Sequence, residues 1–149
     1  AHPLMSFSNN LYEDHVYSKI PFILDNDAPD FKTLFPSFKN PNFKIDITKK
    51  TKYHMLCVLA NNFTTILWEK VFADFEDKLN IPKDVLHPIL AQTCDNLSNL
   101  KSGKSVLTGP LVRKDTQTIN KHLNVLKDDN DNFLDIYKSF IATKIGEKT

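Results

Sequence analysis

Residues 51–80 read TKYHMLCVLANNFTTILWEKVFADFEDKLN, about thirty positions without a glycine or a proline. The mean helix of a globular protein is about a dozen residues long, so this stretch stands apart from the rest of the chain. As one α-helix it is expected to run on the order of 45 Å, enough to form the axis of a domain. Its first half is apolar on nearly every side, through Met55, Leu56, Cys57, Val58, Leu59 and Ala60. That pattern predicts a helix buried all round. A polar stripe crosses it, because His54, Asn61 and Thr65 stand at i, i+7 and i+11 and fall on one helical face. Burying such groups is costly unless they are paired. Either His54 ends the helix and Asn61 and Asn62 bond to neighbouring elements, or His54 and Asn61 face a cleft. There an imidazole can move protons and an amide can orient a carbonyl or imine. Spacing alone leaves both readings open.

On the N-terminal side, residues 1–19 show no sustained period and read as loop, with residues 4–7 able to end a strand. Residues 20–24 form a short apolar run closed by Asp25-Asn26-Asp27, which predicts a strand and a turn. Pro21 confines that strand to an edge or to its first positions. Asp27 is the expected cap of a short helix through Phe35, with Pro29 in its first turn. Pro36 and Pro41 bracket a loop. Phe43, Ile45 and Ile47 then alternate with Lys44, Asp46 and Thr48, the period of a half-buried strand. Strand, helix and strand are too little sheet to stand alone and look like the tail of a larger α/β domain.

On the C-terminal side the pattern is wholly helical. A second helix is predicted from Ile81-Pro82 to Gly103, carrying Leu86, Leu90, Cys94 and Leu97, with Pro88 bending it or shortening its start. Residues 104–114 connect it to a third helix, which begins at Asp115 and buries Ile119, Leu123 and Leu126. A fourth is expected from about Asn130 to Ile145, with Phe133, Leu134, Tyr137, Phe140 and Ile141 as its apolar face and Gly146 ending it. The fold class is therefore mainly α, a helical domain over residues 51–149 preceded by an α/β remnant over residues 1–50.

Composition narrows the function. A formal charge of +1 and a hydrophobic fraction of 41% argue against disorder and against a basic nucleic-acid face. No apolar run approaches the eighteen or so residues that span a bilayer. Cys57 and Cys94 lie in helical apolar patterns without metal-ligand spacing, which predicts reduced, buried thiols in a cytoplasmic protein. The histidines show no H-E-x-x-H or comparable spacing, so no metal site is expected. Ser6 and Ser8 lack a G-x-S-x-G context, which disfavours a hydrolase. The chain begins Ala-His-Pro rather than with Met, as a processed product or excised piece does. Its three glycines form no G-x-G-x-x-G or P-loop, so the main site of any nucleotide cofactor is expected elsewhere.

The sequence Leu107-Thr108-Gly109-Pro110-Leu111-Val112-Arg113-Lys114-Asp115 leads into the third helix. Asp115 is a natural N-cap. Thr118 and His122 follow on its face, opposite Leu123. Gly109-Pro110 gives a stiff approach, and Arg113 stands beside the positive helix end, where an anion is favoured. The competing reading of Arg113 is a surface side chain paired with an acid.

Three segments then occur in one order: H-P-L-M-S-F-S at residues 2–8, Tyr53-His54 followed by an A-N-N-F helix, and T-G-P-L-x-R-x-D-x-x-T-x-x-x-H-L at residues 108–123. This resembles the C-terminal part of the Rossmann-like proteins that carry the domain of unknown function 2520. Those proteins are similar to pyrroline-5-carboxylate reductase, ketopantoate reductase and 6-phosphogluconate dehydrogenase-like enzymes. The resemblance covers nearly the whole chain, and the run from Gly109 to Leu123 is its most specific part. Most members carry Gly where this chain has Lys114, a difference that matters if the turn needs φ > 0.

The resemblance implies an N-terminal dinucleotide-binding domain followed by a 6-phosphogluconate dehydrogenase C-terminal-like helical domain that dimerises and closes over a small anionic substrate. It implies NAD(P) as cofactor of the full-length protein, with this chain inert alone. Carried over by motif, His54, Asn61 and His122 become catalytic candidates, and Thr108, Gly109, Arg113, Asp115 and Thr118 substrate-binding ones. His2 and Ser6 fall on the cofactor side. Hydroxyacid dehydrogenase relatives place a Lys four residues before an Asn on the long helix, where this chain has Cys57 and Val58. That departure favours an imine substrate or another proton donor such as His54. It also leaves open a non-catalytic protein that senses a dinucleotide or acts as a scaffold.

Overall fold

A computed structural model describes residues 1–129 and 132–145, with the side chains of residues 144–145 left aside. The chain divides into two compact units, Ala1–Val85 and Leu86–Thr149. Each is described by itself.

The first unit opens with a three-stranded sheet in the order β1 (His2–Pro3), β2 (Phe22–Asp25), β3 (Asn42–Ile45). β2 runs antiparallel to β1, with His2 opposite Ile23, and parallel to β3, with Leu24 opposite Lys44. The short helix α1 (Asp14–Tyr17) lies before β2, and α2 (Phe31–Leu34) supplies the crossover to β3. The strand–helix–strand unit expected from the sequence is therefore present. Its details differ. The first strand is His2–Pro3 rather than a strand ending within residues 4–7, because Leu4 donates its amide to the Pro21 carbonyl and the chain then turns away. α2 is preceded by Asp30, not capped by Asp27, since the chain at 25–28 is spent on a turn in which Ala28 N–H bonds to the Asp25 carbonyl. Phe43 and Ile47 are exposed rather than half-buried.

The core sits beneath this sheet. Leu24 is 1% exposed, Phe31 4% and Ile20 6%. Phe22 anchors an aromatic cluster, with its ring centroid 5.1 Å from Phe31 and 5.7 Å from Phe35. Such pairs add roughly 0.5–1.5 kcal/mol each beyond area burial. Buried Asn40 closes one side, donating from Nδ2 to the carbonyls of Tyr17 (2.6 Å) and Ile20 (3.0 Å).

The long helix is observed, with an interruption. α3 (Lys50–Val58) and α4 (Thr64–Asp77) are joined without a break by a π-helical turn at Leu59–Phe63. Asn80, at φ +53°, reverses the chain just beyond α4, and Ile81 N–H returns to the Phe75 carbonyl. Burial all round is corrected. None of the helix is buried in this chain, and Met55, Leu56, Leu59, Phe63 and Ile66 are each about half exposed. Cys57 is half-buried and Cys94 exposed, and both are free thiols.

A 3₁₀ turn at Lys83–Leu86 runs from the first unit into the second and precedes α5 (His87–Ser98), which carries Pro88 in its first turn, where a proline is tolerated. It ends at Ser98 rather than near Gly103, because Asn99 bonds back through Nδ2 to Asp95. Gly103, at φ +74°, serves a later turn. The predicted loop at 104–114 contains one helical turn, α6 (Pro110–Arg113). α7 (Thr116–Lys127) buries Ile119, with Leu123 and Leu126 half-buried, and packs against α8 (Phe133–Ile145). Phe140 on α8 is exposed. The expected start at Asn130 and stop at Gly146 lie outside the described residues. No helix among the described residues is long and apolar enough to cross a membrane.

Candidate functional site

In the first unit, β1 and the middle of the long helix enclose a cleft of about 390 Å³. His2, Ser6, His54 and Asn61 line it together, joined by Cys57 and Asn62. The sequence motif at residues 2–8 and the Asn pair near residue 61 thus meet in space. The π-helical turn is part of the reason. It holds Asn61 and Asn62 while its hydrogen bonds span one residue more than an α-helix allows. A π turn lags the α-helical phase, so the predicted face does not persist. Thr65 is outside the cleft lining, and its hydroxyl donates to the Asn61 carbonyl at 2.9 Å.

The polar side chains of this cleft are largely uncommitted. The His54 imidazole and the Asn61 amide make no hydrogen bond among the described residues. The first reading, with His54 ending the helix and Asn61 bonded to a neighbouring element, is therefore not met within the unit, where His54 lies inside α3. His2 is fixed differently, with Nδ1 2.7 Å from the Tyr53 hydroxyl and the two rings edge to face at 5.6 Å. Burial first, and then the neighbouring Cys57 thiol, push the Tyr53 phenol up to about 12. Tyr53 and Cys57 are not among the site residues expected from the sequence. The available signal was their i, i+4 spacing, which places both on one side of α3.

In the second unit, Gly109 adopts φ +89°, ψ −163°, a region essentially restricted to glycine. An added Cβ there meets open space, so conformation rather than packing requires the glycine. α6 follows, and Lys114 then takes φ +55°, ψ +36°, the left-handed region. Asp115 N–H returns to the Pro110 carbonyl at 2.9 Å. These bends deliver Asp115 as the N-cap of α7, accepting from Thr118 N–H at 3.0 Å and from the Thr118 hydroxyl at 2.7 Å. The Thr118 amide, then its hydroxyl, hold the Asp115 carboxyl below the usual carboxylate range, with Arg113 and Lys121 adding to this. Asp115 and Thr118 are thus committed to each other. Arg113 is exposed and has no ion pair among the described residues, so its reading as a surface partner of an acid is not met.

His122 makes no hydrogen bond to Asp115 or Thr118 among the described residues. Its Nδ1 lies 2.7 Å from the Tyr137 hydroxyl, tying α7 to α8. Thr108 lines a separate groove of about 470 Å³ with Asn96, Lys104 and Ser105. Among the described residues, no three His, Cys, Asp or Glu side chains could hold a metal ion.

The cleft fits one end of a dinucleotide better than the whole. His2, Ser6, His54 and Asn61 offer donors and acceptors suited to a carboxamide or carbonyl, whereas no Lys or Arg lines it for a pyrophosphate.

Over residues 21–143 the sequence matches the family model described as Domain of unknown function (DUF2520). Among solved structures, the chain is similar to the "putative NADP oxidoreductase BF3122 from Bacteroides fragilis", with a TM-score of 0.77 and 25% sequence identity. The similarity covers 97% of this chain and 56% of that one, so the chain spans about half the length of the structure it matches. Comparison with curated proteins gives no match.

Proposed function

The chain belongs to the DUF2520 family, and from that premise we propose that it is the C-terminal dimerisation and substrate-binding part of an NADP-dependent reductase of imines or keto acids. On this reading residues 1–50 complete a dinucleotide-binding domain, residues 51–149 form the helical domain, and the chain alone is inert. The observation that carries the reading is the cleft in which His2, Ser6, His54 and Asn61 converge, with the His54 and Asn61 side chains uncommitted among the described residues and Asn61 on a π-helical turn. Such turns occur frequently at functional sites.

The nicotinamide, when bound, supplies hydride. Asn61 is suited to orient a carbonyl or imine by its amide, and His54 to hold the proton that the reduced atom needs. His122 is the other candidate donor, through the ring nitrogen that Tyr137 leaves free. Arg113, exposed and without an ion pair among the described residues, is suited to a substrate carboxylate, with Thr108 and Gly109 shaping the turn before it. The exposed apolar residues of the long helix support a symmetric, mainly apolar interface with a second copy.

The alternative is a dinucleotide sensor or scaffold. It is favoured by Cys57 and Val58, which stand where hydroxyacid dehydrogenase relatives place a lysine. NADPH binding and oxidation by the full-length protein, across candidate imines and keto acids, test the first reading. Absence of binding throughout that panel sinks it. His54→Ala and Arg113→Ala separate the two, because a scaffold keeps its full function without either side chain.

A further inference from the structure

The His2–Tyr53 pair has a role that neither the family match nor the reading of the cleft assigns. His2 belongs to the shortest strand of the sheet and Tyr53 to the long helix, and their 2.7 Å approach joins these elements beside the cleft. A neutral imidazole carries its proton on one nitrogen, and the bond made by the other nitrogen decides which. Tyr53 has two neighbours for its single hydroxyl proton, His2 Nδ1 and the Cys57 thiol. A thiol is a weak acceptor, so of these two neighbours the imidazole nitrogen is the better acceptor for that proton. With Nδ1 accepting, Nε2 must carry the ring hydrogen.

We propose that Tyr53 is a positioning residue that locks His2 as the Nε2–H tautomer, so that the cleft presents a fixed donor to a carbonyl-type oxygen of its ligand. The ligand part of this rests on the reading of the cleft as a binding site, whereas the tautomer does not. A fixed donor discriminates. It accepts a carboxamide, ketone or carboxylate oxygen and leaves an imine N–H unpaired at the same point, a loss a polar site registers strongly. His54, which has no partner to fix its tautomer among the described residues, is free to serve either as donor or as acceptor.

The test is nitrogen NMR on the ¹⁵N-histidine-labelled full-length protein at a pH where histidine is neutral, with His2 assigned by its loss in His2→Gln. The expected result is an unprotonated Nδ1 and a protonated Nε2 in the wild type, relaxing to a mixture of tautomers in Tyr53→Phe. A wild-type His2 protonated at Nδ1, or a Tyr53→Phe spectrum unchanged at His2, overturns the proposal. The wild-type measurement decides even if Tyr53→Phe fails to fold. Calorimetric titration with NADPH supplies the second readout. Tyr53→Phe is expected to weaken binding roughly two- to tenfold, the scale of one hydrogen bond. In a His2→Gln background, where the amide nitrogen offers the donor without help, Tyr53→Phe should add nothing. An equal loss in both backgrounds shows a merely structural tyrosine and refutes the positioning role. Failure of the wild type to bind NADPH removes the cofactor reading of the cleft and leaves the tautomer result standing.

Discussion

Lys114→Gly is expected to stabilise the protein. At φ +55°, ψ +36° the Cβ of an L-residue crowds the following carbonyl oxygen, a cost of roughly 1–2 kcal/mol. The Lys114 side chain is exposed and makes no hydrogen bond or ion pair among the described residues, and its carbonyl, which accepts from Thr116 N–H, is kept by glycine, so the substitution removes that crowding and little else. Against the gain, glycine widens the unfolded ensemble by about 0.5–1 kcal/mol. The net is about 0.5–1 kcal/mol, or about 1–4 °C in Tm for a chain of this size. Thermal and urea denaturation of three variants isolate the cause. Lys114→Ala loses the charge but keeps the Cβ and should gain nothing. Gly109→Ala places a Cβ at φ +89° and should lose at least about 1 kcal/mol, although open space surrounds it. If Lys114→Ala stabilises as much as Lys114→Gly, charge and not backbone is responsible. If Lys114→Gly stabilises nothing, the left-handed turn is not the conformation in solution, and the placement of Arg113 and Asp115 that depends on it fails too.

Asn40→Ala should cost about 1–3 kcal/mol in urea unfolding, because it strands the Tyr17 and Ile20 carbonyls, and Asn40→Asp should cost more by turning an oxygen toward them. The Asp115 carboxyl is lowered in the folded state, so its contribution is present above the unfolded value of about 3.9 and lost as pH falls through the lower folded value. Asp115→Asn keeps a capping acceptor that does not titrate, and its Tm should fall less than the wild type's below about pH 4. Phe63→Asp, in the exposed apolar stripe of the long helix, should convert the proposed dimer to monomer by light scattering at micromolar concentration. A wild type that is already monomeric there refutes the interface.

The chain's local features were legible and its burial was not. Asp115 reads as an N-cap because a cap is made of near neighbours, and Thr118 three residues on completes it. The long helix reads from its composition, yet the π turn within it has no signature in Leu59–Phe63, whose residues would suit an α-helix equally well. The apolar run of Met55 to Ala60 correctly marks a helix that needs cover. It says nothing about whether this chain supplies that cover, and within the chain Met55, Leu56 and Leu59 stay about half exposed. Helix ends failed wherever a nearer residue did the work, as Asn99 did before Gly103. The cleft was half legible. His54 and Asn61 follow from helical spacing, but His2 joins them only because β1 pairs with β2 and Tyr53 reaches it from the helix.

The π turn also carries a testable cost. Widening the hydrogen-bond ladder disturbs the pairing of backbone carbonyls in that turn, and two adjacent threonines answer it. Thr64 Oγ1 donates to the Leu59 carbonyl at 3.4 Å, a weak bond, and Thr65 Oγ1 to the Asn61 carbonyl at 2.9 Å. Thr65 thus belongs to the scaffold of the cleft rather than to its lining, which gives its place in the polar stripe a structural cause. Thr65→Val keeps the shape and removes the donor, and should cost about 0.5 kcal/mol, the low end for a hydrogen bond, because water reaches this exposed carbonyl. The larger effect should be local, as faster amide exchange at residues 59–65 and weaker NADPH binding through a displaced Asn61. Unchanged exchange in Thr65→Val means the turn is held by packing alone. Weaker binding without faster exchange means Thr65 touches the ligand itself, and the division between scaffold and lining drawn from its bond to Asn61 is then wrong.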